Sequence, residues 1–318
     1  MNPERSALQN VIGNIERVVV GKREEIELSL TALLAKGHVL LEDVPGVGKT
    51  MMVRAIARSI GAEFKRIQFT PDLLPSDVTG VSIYNQKTMA FEFRPGPVMG
   101  NVLLADEINR TSPKTQSALL EALEESSVTV DGKTRPLKSP FFVMATQNPI
   151  EYGGTYPLPE AQLDRFLLKL KMGYPSREDE MEVLNRVEDH HPIEDIHDVL
   201  SLEEVQRMQE AVRKVYVDDS VKQYIITITG ETRTHRDVFL GVSPRGSIAL
   251  MKAGQAYAYL KGREYVIPDD IKFLAPYALS HRIILRTDLQ MAEKAGEDVI
   301  REILSVLRVP VSKREAVR

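Results

Sequence analysis

Residues 38–61 read HVLLEDVPGVGKTMMVRAIARSIG, and the order of their chemistry decides the fold. His38–Glu42 is a short apolar run suited to a buried strand, and the stretch after it carries two glycines. Thr50–Gly61 then sets Val53, Ile56 and Ile60 at helical spacing before a glycine stop. Strand, glycine loop and helix in that order are the setting a phosphate-binding loop requires. Glycines let main-chain N–H groups turn toward an anion, and the start of the helix adds partial positive charge. The candidate cradle is therefore Val44, Pro45, Gly46, Val47, Gly48, Lys49, Thr50 and Met51. In it Lys49 reaches the outer phosphates and the Thr50 hydroxyl ligates Mg²⁺. One position departs from the usual spacing. Asp43 stands where the pattern has its first glycine, so Pro45 and Gly46 must shape the turn. A plain glycine-bearing strand-to-helix turn would share these letters.

Outward from this segment the alternation continues. Leu8, Val11, Ile12, Ile15 and Val18 predict an amphipathic helix that Gly21 allows to stop. Ile26, Leu30, Leu33 and Leu34 predict a second helix running up to Gly37, expected to end it in a left-handed conformation. Apolar runs at 64–69, 102–105, 141–145 and 167–170 alternate with helical segments, so the expected fold class is α/β, a parallel sheet between helices. Ser112 is the expected N-cap of one such helix, with Pro113 in its first turn and Leu119, Leu120 and Leu123 facing inward. Two insertions interrupt the pattern and are expected to project from the core. One spans 82–101 and carries Phe91 and Phe93; the other spans 127–135 around Asp131-Gly132, a strong hairpin signal. After Tyr174-Pro175 the strands are expected to cease. That gives residues 1–175 as an αβα domain with two hairpin insertions and 176–318 as an all-helical domain.

Length and composition set the outer limits. A chain of 318 residues implies about two domains, enough for two separate cores. Hydrophobic residues at 43% and charged residues at 27% argue against a disordered chain. Cysteine is absent, which excludes disulfides, thiolate catalysis and Cys-ligated zinc or iron-sulfur centres. The net charge of -4 offers no bulk attraction to nucleic acid or anionic lipid. No apolar run approaches the roughly 20 residues a bilayer needs, and the first residues lack a signal-peptide apolar core. These features describe a soluble, unexported chain, expected in the cytoplasm.

A second signal reinforces the loop. NVLLADE (101–107) ends an apolar strand with two acids, which places Asp106 at the sheet edge to hold Mg²⁺ beside Thr50 and leaves Glu107 to polarise an attacking water. By itself such a pair is more often a solvated strand end. FFVMATQNP (141–149) brings Asn148 to a third strand end, where it can orient the water or form an Asx turn before Pro149.

Together with DLLPSDVTG (72–80), FRPGPV (93–98), ADEINR (105–110), YPLPEAQLDRF (156–166) and SPRG (243–246), these segments give a chain that resembles the MoxR group of AAA+ ATPases over roughly residues 8 to 285. The resemblance implies an AAA+ P-loop NTPase domain followed by a helical lid. It also implies Mg²⁺-dependent hydrolysis of ATP to ADP and phosphate. Arg165 in LDRF matches the arginine finger that reaches a neighbouring subunit's nucleotide; its ordinary alternative is a surface ion pair with Asp164 or Glu160. Arg245 in SPRG matches the sensor-2 arginine, contacting nucleotide from a lid helix that Ser243 and Pro244 would cap. Val19, Val20 and Gly21 match the segment that contacts adenine, although core packing accounts for the valines equally well.

The same resemblance implies a homo-oligomeric ring, six subunits in this family, and chaperone-like maturation of client proteins, often with von Willebrand factor A domain proteins. The two hairpins would line the ring's pore, with Tyr84, Met89, Lys133 and Arg135 facing substrate; exposed loop residues are more often simply solvated. A metal-chelatase motor subunit and a nucleic-acid motor are alternatives from the same clade, and a nucleotide-binding scaffold is a non-enzymatic one. His190, His191 and His197 read as a solvated stretch rather than metal ligands. Tyr257, Tyr259, Phe273 and Tyr277 read as packing residues rather than a base-stacking platform.

Overall fold

The computed structural model describes residues 3–44, 46–148, 156–188, 192–286 and 295–310. Helices α1 (Pro3–Glu16) and α2 (Arg23–Leu34) lead into β1 (Val39–Glu42), the glycine loop and α3 (Lys49–Ser59). Next come β2 (Phe64–Gln68), α4 (Pro75–Thr79), the hairpin of β3 (Gly80–Asn85) and β4 (Ala90–Pro95), and β5 (Val102–Asp106). Then follow α5 (Pro113–Glu125), the hairpin of β6 (Ser127–Val130) and β7 (Lys133–Pro136), β8 (Phe142–Gln147), α6 (Glu160–Leu163) and β9 (Leu168–Leu170).

The main sheet has the order β2-β5-β8-β1-β9, with every pair parallel. Its central strands alternate cleanly between faces. Val39, Leu41, Val102, Leu104, Phe142 and Met144 join one apolar cluster, while Leu40, Leu103, Ala105, Val143 and Ala145 join the other. Strands buried on both faces must be apolar at every position, which explains their unbroken runs in the sequence. Ser112 caps α5 by accepting from the Thr115 N–H, and Leu119, Leu120 and Leu123 pack inward. In the second hairpin, Asp131 (φ 54) and Gly132 (φ 71) both take the left-handed values that a tight two-residue turn demands.

Beyond β9 the chain is mainly helical: α7 (Arg177–Val187), α8 (Leu202–Val212) and α9 (Asp219–Thr234), then α10 (Pro244–Leu260) and α11 (Pro268–Leu279), and finally α12 (Gly296–Val306). Strands do not cease entirely, because β10 (Val238–Leu240) pairs antiparallel with β11 (Ile284–Leu285). Two-residue and three-residue strands are too short to leave a periodic signature. The chain does hold two apolar clusters, but the division near residue 175 is not what separates them. The two apolar clusters are divided by the sheet; the cluster on the α1–α3 face runs without a break into Val205, Leu250, Leu274 and Ile300 of the C-terminal helices.

Gly37 corrects a third expectation. The left-handed residue that ends α2 is Lys36 (φ 54), not the glycine. Gly37 is required for space, since a Cβ there would lie 2.6 Å from the Leu167 side chain beside β9. The aromatic group on α10 and α11 packs within the chain. Tyr257 stacks on Phe273 at 5.0 Å, and the Tyr277 and Tyr259 hydroxyls bind Glu24 and Glu4 of the N-terminal helices. Among the described residues, no helix is long and apolar enough to cross a membrane.

Candidate nucleotide site

Parallel pairing brings the carboxyl ends of β1, β5 and β8 together, the place where open α/β sheets bind ligands. A cleft of about 270 Å³ lies there, lined by Asp43, Gly46, Gly48, Lys49, Thr50 and Met51 on one side and Asp106, Glu107, Thr146 and Asn148 on the other. The residues picked out from two distant stretches of sequence therefore face each other. Gly46 (φ 87) and Gly48 (φ 89) are left-handed, and no atom lies within 4 Å of where a Cβ would sit. The backbone conformation, rather than crowding, selects glycine at both positions. Lys49 opens α3, and its Nζ donates to the carbonyls of Asp43 and Val44, both at 3.0 Å, which holds the ammonium over the loop. Pro45 lies outside the described residues.

Asp43 takes the place of a glycine because its side chain ties the loop down. Oδ1 accepts the Val44 N–H at 2.8 Å, and Oδ2 accepts the Gly173 N–H at 2.6 Å, fixing the loop to the end of β9's extension. The Val44 N–H is thereby occupied.

At the tip of β5, Glu107 adopts a left-handed backbone (φ 58), a rare state for a residue other than glycine. Thr146 holds it there. The Thr146 hydroxyl accepts the Glu107 N–H at 2.8 Å and donates to Asp106 Oδ1 at 2.6 Å, bridging both acids from the neighbouring strand. From the other side, Arg66 contacts Asp106 Oδ2 at 2.7 Å, and Gln68 donates to Glu107 Oε2 at 2.5 Å. Arg110 approaches the same Oε2 at 3.3 Å. Asn148 lines the cleft, with its carbonyl accepting from Asn109 Nδ2 at 3.3 Å. The oxygen donors Thr50 and Asp106 share this cleft, a hard donor set of the kind Mg²⁺ prefers.

Thr146, Arg66 and Gln68 escaped the reading of the sequence. Arg66 and Gln68 sit two apart on β2, so they share one face, and their register partners on β5 are Leu104 and Asp106. That polar alternation at the end of an edge strand was the available signal; for Thr146 it was its place two residues before Asn148.

A second cavity, about 220 Å³, adjoins the loop and is lined chiefly by apolar groups, among them Val18, Val19, Val20, Val47, Met51 and Val187. Val19 and Val20 thus line an apolar cavity beside the loop, whereas Gly21 is not part of that lining. Gly21 (φ 69) packs against Asp179, whose carboxylate leaves no room for a Cβ.

Arg165 and Arg245 are not at this cleft. Arg165 directs NH2 to Glu124 Oε2 at 3.1 Å and NH1 to the Leu120 carbonyl; Arg245 reaches the other Glu124 oxygen at 2.8 Å. The ion-pair partner of Arg165 is therefore Glu124 on α5, not Asp164 or Glu160, because the turn after α6 points its guanidinium across to the end of α5. Arg245 lies in the first turn of α10 as expected from its position, but Ser243 makes no side-chain capping bond. The carboxylate of Glu124 supplies the anion that a cation at a helix start needs.

Both insertions form hairpins. Tyr84, Met89 and Phe91 stay exposed, with Tyr84 and Phe91 edge to face at 5.3 Å. Arg135 is not free for a substrate, since its guanidinium lies 3.9 Å over the Phe93 ring and ties one hairpin to the other. Lys133 is exposed on β7. His197 is exposed and bonds the Asp195 carbonyl at 3.3 Å, while His190 and His191 lie outside the described residues.

Comparison with known proteins identifies the family and the fold. Residues 38–168 match the family model "ATPase family associated with various cellular activities (AAA)", and residues 230–303 match an AAA lid domain. The chain is 66% identical to YeaC of Bacillus subtilis over 98% of this chain and 97% of that protein. It is 43% identical to Chaperone MoxR1 of Mycobacterium tuberculosis over 96% of this chain and 83% of the relative. A solved structure of a candidate ATPase from Cytophaga hutchinsonii superposes with a TM-score of 0.91 at 40% identity, covering 97% of this chain and 96% of that one.

Proposed function

The chain belongs to the MoxR family of AAA+ ATPases, and from that premise we propose that it hydrolyses ATP with Mg²⁺ at a cleft completed by a second copy, using the cycle to remodel client proteins. The observation that carries the reading is the single cleft in which Gly46–Thr50 face Asp106 and Glu107, continuous with an apolar cavity sized for a base. In this reading residues 1–175 hold the nucleotide and 176–318 act as the lid.

Thr50 and Asp106 would hold Mg²⁺, which when bound supplies charge stabilisation for the phosphates. Val19 and Val20 take the adenine, and the main-chain amides of Gly46 to Met51 cradle the phosphates at the start of α3. Lys49 keeps its ammonium over that cradle and neutralises the outer phosphates. Glu107 takes a proton from the attacking water; Gln68 and Arg110 share its Oε2, which leaves Oε1 for that proton. Asn148 orients the same water. Phosphoryl transfer of this kind runs on positioning and charge, not on a covalent enzyme intermediate.

Arg165 and Arg245 share Glu124 on a surface separate from their own subunit's cleft, so both serve the nucleotide of the next subunit in a ring. We take six copies as the ring, and the cytoplasm as its place. Exposed Tyr84, Met89 and Phe91 at the hairpin give an apolar surface for a client polypeptide, including a protein with a von Willebrand factor A domain. The net charge of -4 disfavours a nucleic-acid motor.

Glu107→Gln tests the reading. The variant should bind ATP with near-parental affinity while turnover collapses, and client proteins should stay attached in the trapped state. Unchanged turnover removes Glu107 from its role and the proposed chemistry with it.

A further inference from the structure

Arg282 is buried, with 3% of its side chain exposed, in the short 3-10 turn (Ser280–Arg282) that follows α11. Its Nε donates to Asp164 Oδ1 at 2.6 Å, and NH2 donates to the carbonyls of Phe166 at 2.7 Å and Asp164 at 3.1 Å. NH1 approaches the Leu167 carbonyl at 3.3 Å and His281 Nε2 at 2.8 Å, and it also donates to the Ala278 carbonyl. One guanidinium from the lid therefore grips the main chain on both sides of Arg165. Burial and the adjacent Arg282 push the His281 imidazole well below its ordinary pKa, so it stays neutral beside that charge.

Asp164 has a second neighbour. Its Oδ2 lies 3.9 Å from Arg245 Nε, and Arg245 in turn shares Glu124 with Arg165. Asp164 thus stands between a buried lid arginine and the pair formed by half-buried Arg165 and exposed Arg245.

A buried ion pair is poor value as stabilisation, because desolvation offsets most of the attraction. Apolar packing alone could hold the lid to the sheet, and the continuous cluster already does so. What a fork of fixed donors adds is a defined geometry for the segment it binds.

We infer that Asp164 and Arg282 form a positioning pair that locks Arg165 and Arg245 into one unit with the lid, so that the arginines a subunit offers to its neighbour are set by its own lid. The inference rests on the reading that both arginines act on the neighbouring subunit's nucleotide. Neither Asp164 nor Arg282 touches nucleotide. Each acts through the two arginines.

The experiment uses full-length Arg282→Lys, which keeps the charge and loses the fork, and Asp164→Asn, which keeps the shape and loses the charge. ATP affinity and KM should remain within about twofold, because the cleft is untouched, while kcat falls about 10²-fold, the scale of an ångström-level misplacement. Each variant is then mixed with Glu107→Gln, whose own cleft is dead but whose arginines are intact. Mixing should restore turnover, because Arg282→Lys clefts can be served by Glu107→Gln neighbours; Arg165→Ala mixed with Glu107→Gln is the control. Parental kcat in both variants overturns the inference, as does a loss of ATP affinity equal to the loss of kcat. If the Arg165→Ala mixture recovers and the Arg282→Lys mixture does not, the positioning role falls and the shared site stands. If neither mixture recovers, the shared site falls and the inference falls with it.

Discussion

Glu107 sits in a left-handed backbone that costs of order 1–3 kcal/mol for a side-chain-bearing residue, and the Thr146 hydroxyl offsets that strain through its bond to the Glu107 N–H. Removing the hydroxyl should loosen both acids at once. Thr146→Val is expected to lower kcat about 10–100-fold, the usual scale for removing a group that orients a site, with Thr146→Ser close to parental in steady-state kinetics. Two buried histidines set the acid limit of the fold. His38 donates to the Leu123 carbonyl and accepts the Val143 N–H, and burial lowers its pKa from 6.5 to about 4. Burial acts on His281 in the same direction. A depressed folded-state pKa means the unfolded chain binds protons that the native chain refuses. The stabilisation is complete above about pH 6.5 and is lost as pH falls toward 4, worth about 3 kcal/mol for His38. Denaturant midpoints should fall over that window. His38→Gln, if it folds, should flatten the fall. Lys49, Thr50, Asp106 and Glu107 were legible in the sequence because spacing along one strand or loop fixes them. Thr146 and Gln68 were not, because their contacts depend on which strands become neighbours.

The junction of α2 and β1 shows how local signals divide their work. A glycine after a helix suggests a left-handed stop, yet Lys36 carries that conformation and Gly37 yields room to Leu167. Sequence periodicity locates the end of a helix well, but it cannot see a side chain arriving from a segment 130 residues later. Gly37→Ala should destabilise the fold by about 1–3 kcal/mol through overpacking. Lys36→Gly should stabilise it by about 1 kcal/mol by relieving the left-handed strain, since the Lys36 contact with Glu210 is exposed and weak. Equilibrium unfolding of both variants checks the opposite signs. The strand runs and the Asp131-Gly132 turn were readable for the contrary reason: each is a local pattern of chemistry with its own period or turn geometry. The short pair of β10 and β11 has too few residues to show one.

For the whole molecule, the sheet, not the boundary near residue 175, separates the two apolar clusters. The lid is therefore packed onto the same core that supports α3 and its glycine loop. Arg165 and Arg245 both pair with Glu124 and do not line their own subunit's cleft, so in the proposed reading a lone subunit lacks their charges at its nucleotide. An arginine supplied by a neighbour is worth about 10³ to 10⁵ in rate in related phosphoryl-transfer enzymes. The most direct measurement is ATP turnover per subunit across a dilution series, read beside the oligomeric state. Turnover per subunit should climb as subunits associate, and Arg165→Ala should remain low and flat at every concentration while it still binds ATP. A rate per subunit that stays constant down to isolated monomers, or an Arg165→Ala variant as fast as its parent in the assembled state, contradicts the account.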